Sequence, residues 1–218
     1  MNKRHAFTLI EMLVVIAIIG IVAALVVNMN SGAQAAKRNA QVNADKNKLM
    51  LLIEEYQSKL NFYPPDNGYL ASLSAAANFA YYDAVAATNP LLYELTGATN
   101  STTTNQNIQL FDGTIISATL YNQVFWRQSV ANANPDEPHS FFIPQPKEYT
   151  NYINSQTTNL LGLLVPVSLT NDPTIHNYWH YDASSTNRHN LSSYDLWAEY
   201  VIGNKGGSNI ITTNGNWQ

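Results

Sequence analysis

"HAFTLIEMLVVIAIIGIVAALVV", residues 5–27, is almost unbroken hydrocarbon with one carboxylate in it, Glu11. From Met12 to Val27 no polar side chain occurs. With Phe7 to Glu11 added, the run reaches 21 residues, about 31 Å of helix, which matches the core of a bilayer. Lys3 and Arg4 precede it, so the positive-inside rule leaves the extreme N-terminus in the cytoplasm and the rest outside. Lys37 and Arg38 follow the run and weaken that asymmetry. A carboxylate at the centre of a membrane helix costs about 2.5–3.5 kcal/mol, less near the interface, so such acids usually have a partner. No Lys or Arg lies within a turn of Glu11 inside the run. A free α-amine, made by a cut between Ala6 and Phe7, would stand about one turn away on the same helix or a neighbouring one.

The rest of the composition narrows the function classes. The chain has 218 residues, enough for one medium domain with appendages. Only 12% of them are charged, and the net charge of −4 comes without any basic block. The electrostatic footprint of a general nucleic-acid binder is therefore missing. There is no cysteine, which excludes disulfides, thiolate metal sites and a cysteine nucleophile. A secretory signal would have a shorter apolar core before its small-x-small site; Ala33-Gln34-Ala35 could be read as one, but it follows too long a run.

"A-FTLIEMLVVIAIIGIVAAL" resembles the class III signal of type IV pilins and type II secretion pseudopilins. The resemblance implies that a prepilin peptidase removes a basic leader, residues 1–6, after Ala6, and N-methylates Phe7. It implies that Glu11 then pairs with a subunit's terminal amine as the filament assembles. The family usually has Gly before the cut, where this chain has Ala6.

The helix should continue well beyond the membrane. Residues 31–62 contain good helix formers, and no proline appears before Pro64. Val42, Leu49, Leu52, Ile53, Tyr56 and Leu60 follow the i, i+3, i+4, i+7 pattern, with Lys46, Lys48, Glu54, Glu55 and Lys59 expected largely outside the stripe. Gly20, Ala17, Ala23 and Ala24 give the membrane half, residues 7–30, a small face for helix packing. "NFYPPDNGY" then stops the helix.

Residues 63–170 form the variable region that the resemblance implies. Short helices are expected in "LASLSAAANFAYYDAVAA" and "NPLLYELTG", a polar loop in "ATNSTTTNQN", a strand in "GTIISATLYNQ", and irregular chain in "NANPDEPHSFFIPQPKEY". In residues 171–218 two strand-like runs, "NYWHYDA" and "YDLWAEYVI", suggest a β-hairpin. Tyr194-Asp195-Leu196-Trp197, Gly206-Gly207 and Asn216-Trp217 resemble the C-terminal sheet of the major pseudopilin. The expected fold is α+β and type IV pilin-like, a long N-terminal helix packed on a small antiparallel β-sheet head.

Other candidate sites are weaker. The pseudopilin Gly-rich loop often binds calcium through carboxylates and carbonyls. Here Ile202 and Asn209 stand where the family has Asp, so no cofactor is expected, and Lys205 is a candidate non-metal substitute. His176 and His180 have a zinc spacing for a helix, but on a strand they would sit about 13 Å apart. His189 with Asp182 or Asp195 lacks the Gly-x-Ser-x-Gly elbow of a hydrolase, and Asp136-Glu137 reads as a turn between prolines. Tyr81, Tyr82, Trp126, Tyr178, Trp179 and Trp197 read as core and intersubunit packing rather than a sugar platform. The expectation is thus a non-enzymatic filament subunit, membrane-anchored before assembly with its head in the periplasm. The resemblance implies as partners copies of itself, a prepilin peptidase, an inner-membrane assembly platform with its cytoplasmic ATPase, and minor pseudopilins.

Overall fold

The structure is a computed structural model that describes residues 8–68, 89–100, 107–133, 139–151, 160–170 and 175–217. One helix, α1 (Leu9–Leu60), runs for 52 residues. Thr8 caps it: its hydroxyl accepts from Glu11 N, and the Glu11 carboxylate accepts from Thr8 N at 2.7 Å, a capping box. Asn61 ends it in the left-handed region, φ 65°, and donates to Gln57 O at 2.8 Å. Pro64 and Pro65 follow, where no further helical turn can form.

The two parts of α1 meet different surroundings. All described side chains of 9–23 are exposed, Leu9 at 84% and Ile16 at 66%. Farther along, Val42, Leu49, Ile53 and Tyr56 are buried against the head, as their spacing predicts. Lys46 departs from expectation: it belongs to the buried face and is 9% exposed. Among the described residues no helix is long and apolar enough to cross a membrane. The expected span therefore rests on the sequence run 7–27, of which the structure describes only the side chains of 8–23.

The head is assembled from short elements. Helix α2 (Leu91–Thr96) is buried at every position and stops at Gly97, as its sequence predicts. Strands β1 (Thr99–Asn100), β2 (Asn107–Gln109) and β3 (Ile115–Ser117) form one antiparallel sheet in chain order. The expected polar loop thus has a strand at either end, and the expected strand from Gly113 keeps only three residues. Ser117 then caps α3 (Ala118–Phe125), its hydroxyl accepting from Leu120 N at 3.1 Å. Tyr121 and Phe125 of α3 pack on Tyr93. Gly68 touches this helix end so closely that a Cβ would lie 2.5 Å from Trp126 O.

Strands β4 (Tyr149–Asn151) and β5 (Leu161–Leu163) pair antiparallel. The chain at 177–179 extends that pairing, with Trp179 N donating to Leu163 O and Val165 N to Asn177 O. It leads into the C-terminal sheet of β6 (His180–Asp182), β7 (Asp195–Lys205) and β8 (Ser208–Gly215). The predicted hairpin is the β6–β7 pair. The structure adds β8, returning through Gly206 and Gly207 at φ 61° and 85°, the two positive φ values of a tight two-residue hairpin turn. The expected helix over 70–87 and Asp136-Glu137 lie outside the described residues.

Candidate functional site

The helix and the C-terminal sheet meet along a polar seam. Arg38 donates to Val201 O, and Tyr200 donates to Asn39 Oδ1, both at 2.9 Å. Asn214 donates to Asn43 Oδ1 at 2.9 Å. Lys46 reaches both Asn214 Oδ1 and Gly215 O. Burial lowers the Lys46 amine below its ordinary value. Trp179 donates its indole N–H to Asp45 at 2.8 Å, a sixth hydrogen bond on the same stretch of helix. These bonds fix the register of α1 against β7 and β8, which apolar packing alone would leave free to slide.

The three C-terminal motif pieces converge on that sheet. Asn216 accepts from Leu196 N at 3.0 Å and donates to Tyr194 O at 2.9 Å, which ties the chain end across β7. Trp217 packs edge-on against Trp197 at 5.6 Å and stacks on His189 at 4.1 Å. Gly215 makes room for that indole, since a Cβ there would lie 2.7 Å from it. Gly206-Gly207 supplies the turn between the strands. One hairpin therefore accounts for residues that stand far apart in the sequence.

The candidate calcium loop takes a different form. The residues around Gly206-Gly207 are an ordered hairpin with Lys205 exposed at its tip. Lys205 thus faces solvent at the tip, while Lys46 is held against Gly215 O at the opposite end of the hairpin. In the neighbouring loop Arg188 donates to the carbonyls of Ser185, Asn190, Leu191 and Ser193 at 2.6–3.0 Å. Among the described residues no group of three His, Cys, Asp or Glu side chains could hold a metal ion.

Other predicted chemistry is dispersed. His176 is exposed, while His180 stacks on Trp197 at 5.0 Å with its Nδ1 buried and unpaired. Burial pushes His180 down to about 4. His189 Nδ1 lies 3.1 Å from Asp195, but Asp182 is elsewhere, accepting from Ser184 N and Ser185 N. The His189–Asp195 contact closes the loop onto the sheet. Trp179 is 1% exposed and belongs to the core, whereas Trp126 is 58% exposed at the end of α3.

Two buried acids had no signal in the sequence. Asp66, just after the prolines, accepts from Ala183 N and Ser184 N at 2.8 Å and pairs with Arg127 at 3.2 Å. Burial, with the nearby Asp66 charge adding to it, pushes Asp182 up to about 6. Glu94 of α2 accepts from Tyr56, Ala131 N and Asn132 N, joining α1, α2 and the loop after α3. Burial pushes it up to about 7 although these three donors favour the ionised form. The capping box, by contrast, was readable as Thr-x-x-Glu at 8–11.

Residues 1–27 match the family model described as the prokaryotic N-terminal methylation motif. The matched segment contains the Thr8–Glu11 cap and leads into the exposed apolar part of α1. The match supports a type IV pilin-like subunit, and the α+β head under a long N-terminal helix is compatible with that class. Ala6 and Phe7 fall within the match but outside the described residues. No curated protein and no solved structure matches the chain.

Proposed function

We propose that this chain is a structural subunit of a pilus-like filament, a type II secretion pseudopilin that assembles through α1 to support protein export. The observation that carries the reading is the methylation motif on a helix whose second half is committed to the head and whose described apolar residues at 9–23 are exposed. Exposed apolar residues over several turns require lipid or other helices around them. The run 7–27 enters the inner membrane, a prepilin peptidase cuts after Ala6 and methylates Phe7, and Glu11 meets a terminal amine during assembly. In the single chain Glu11 is held by its own helix cap, so the acid is satisfied before a neighbour arrives. The head stands in the periplasm, and the assembly platform and its ATPase add subunits below it. The convergence of Tyr194-Asp195-Leu196-Trp197, Gly206-Gly207 and Asn216-Trp217 on one hairpin supports the secretion subclass. The large region between α1 and that sheet favours a divergent or minor subunit; the alternative reading is a type IV pilin for adhesion, motility or DNA uptake.

The test is the intact mass of the protein from membranes of a host with a prepilin peptidase. Loss of residues 1–6 with one added methyl is expected, and Glu11→Ala should keep that mass while losing filaments. An unprocessed chain, or normal filaments from the variant, would overturn the reading. Restoration of export or of surface pili in the corresponding deletion strain separates the two subclasses.

A further inference from the structure

The seam between α1 and the C-terminal sheet fixes how far the head reaches toward the N-terminal half of the helix. Trp197 pairs with Gly215, which accepts from Lys46, and Val201 accepts from Arg38. Eight residues of helix rise about 12 Å and four residues of strand about 13 Å. Strand β7 therefore runs antiparallel to α1 and nearly in step with it. Beyond Val201 a bulge takes up Ile202, and Gly203, Asn204 and Lys205 carry the strand on to the turn. Those three residues advance about 10 Å more, which brings the hairpin tip level with helix positions near 31. The apolar run ends at Val27, about 6 Å farther along the axis. A lipid headgroup layer is about 5–8 Å deep on each side of the hydrocarbon.

The charges at this end differ from those of the whole chain. Lys205 and Lys37 are exposed, and Arg38, next to Lys37, is half-buried with its guanidinium on Val201 O. No acid occurs on α1 between Glu11 and Asp45, or from Tyr200 to the chain end. Asp172 lies outside the described residues. Lys205 thus stands at the N-terminal edge of the head, with Lys37 and Arg38 about 10 Å behind it along the helix, in a chain whose net charge is −4.

We propose that Lys205 at the β7–β8 tip, with Lys37 and Arg38 on α1, seats the head on anionic phospholipid headgroups while the subunit is anchored in the membrane. The proposal rests on the membrane-inserted reading of residues 7–27. Anionic headgroups attract each nearby Lys or Arg by about fivefold in the binding equilibrium, within a Debye length. The two-residue turn keeps the tip narrow, with the exposed Ile210 and Ile211 behind it on β8. Asn204 braces the turn by accepting from Gly207 N at 3.1 Å.

Because the chain has no cysteine, Ser208→Cys places a single fluorophore at the tip. Ser140→Cys places one on an exposed loop near Phe141, which packs on Tyr56 toward the far end of α1. The full chain is reconstituted into phosphatidylcholine vesicles with and without phosphatidylglycerol, and acrylamide quenching is read. The tip label should become about threefold or more less accessible in the anionic vesicles only, and the distal label should not change. Lys37→Glu with Lys205→Glu should restore the neutral-vesicle value; the seam is made by Arg38, Asn39, Asn43, Asp45 and Lys46 instead. Equal quenching in both vesicles, with the chain still floating with lipid after an alkaline wash, would overturn the seat alone. Protection that follows protein density rather than lipid charge would assign the tip to a second copy and also overturn it. A chain that does not float would remove the membrane reading and the seat together.

Discussion

Lys46 shows how a single side chain is placed by tertiary structure against its sequence pattern. It stands four residues from Val42 and three from Leu49, so a helix with that register must carry it into the interface. Its amine is then satisfied by Asn214 Oδ1 and Gly215 O rather than by an acid. Lys46→Met keeps the volume and removes the charge, but it leaves two buried acceptors without a donor. We expect a loss of about 1–3 kcal/mol, measured by urea denaturation of the head's near-ultraviolet signal. An unchanged midpoint would mean that water replaces the amine without penalty. Arg188 plays a comparable part in its loop by collecting four carbonyls.

At the scale of the element, the β7–β8 hairpin is closed by its turn, its register and Lys46. Neither strand contributes a carboxylate near the tip, since Glu199 is the only acid on the pair beyond Asp195. Chelation should therefore leave the thermal midpoint unchanged, and added calcium should not raise it. Gly207→Val, by contrast, forces a β-branched residue to φ 85°, at a cost of about 1–2 kcal/mol or more. A calcium-dependent rise in the melting temperature would contradict this account of the hairpin. The same strand pair explains why the sequence suggested only two strands. "SNIITTNG" contains β-branched residues, but its outer positions are polar or exposed and no clean alternation marks it as β8.

For the whole molecule, the buried titratable groups oppose one another. Glu94 is raised from 4.5 to about 7, so its favourable contribution is complete below pH 4.5 and is lost as pH rises through 7. His180 is lowered from 6.5 to about 4, so stability is present above pH 6.5 and is lost as pH falls through 4. Asp182, raised to about 6, acts in the same direction as Glu94. Relative to the unsubstituted chain, Glu94→Gln should gain about 3 kcal/mol between pH 4.5 and 7. His180→Gln should gain about 2–3 kcal/mol, after allowance for its partly exposed edge, as pH falls from 6.5 to 4. Denaturation midpoints across that range check both, and parallel curves for variant and parent would refute them.

The sequence by itself determined the N-terminal motif, the long reach of α1 and its proline-enforced end, and most of the stripe that meets the head. These features are local: they depend on hydrocarbon length, helical period and residues that stop a helix, and each is written in consecutive residues. It also marked the β6–β7 hairpin and all three pieces of the C-terminal motif. Only the tertiary structure decided that those pieces share one hairpin, that β8 exists, and that Asp66 and Glu94 are buried between distant segments. It also placed Lys46 under the sheet and Lys205 at its free tip. The physical reason is that polar side chains carry no periodic signal of their destination. Whether such a group is solvated, paired or buried depends on donors that arrive from elements far away in the chain.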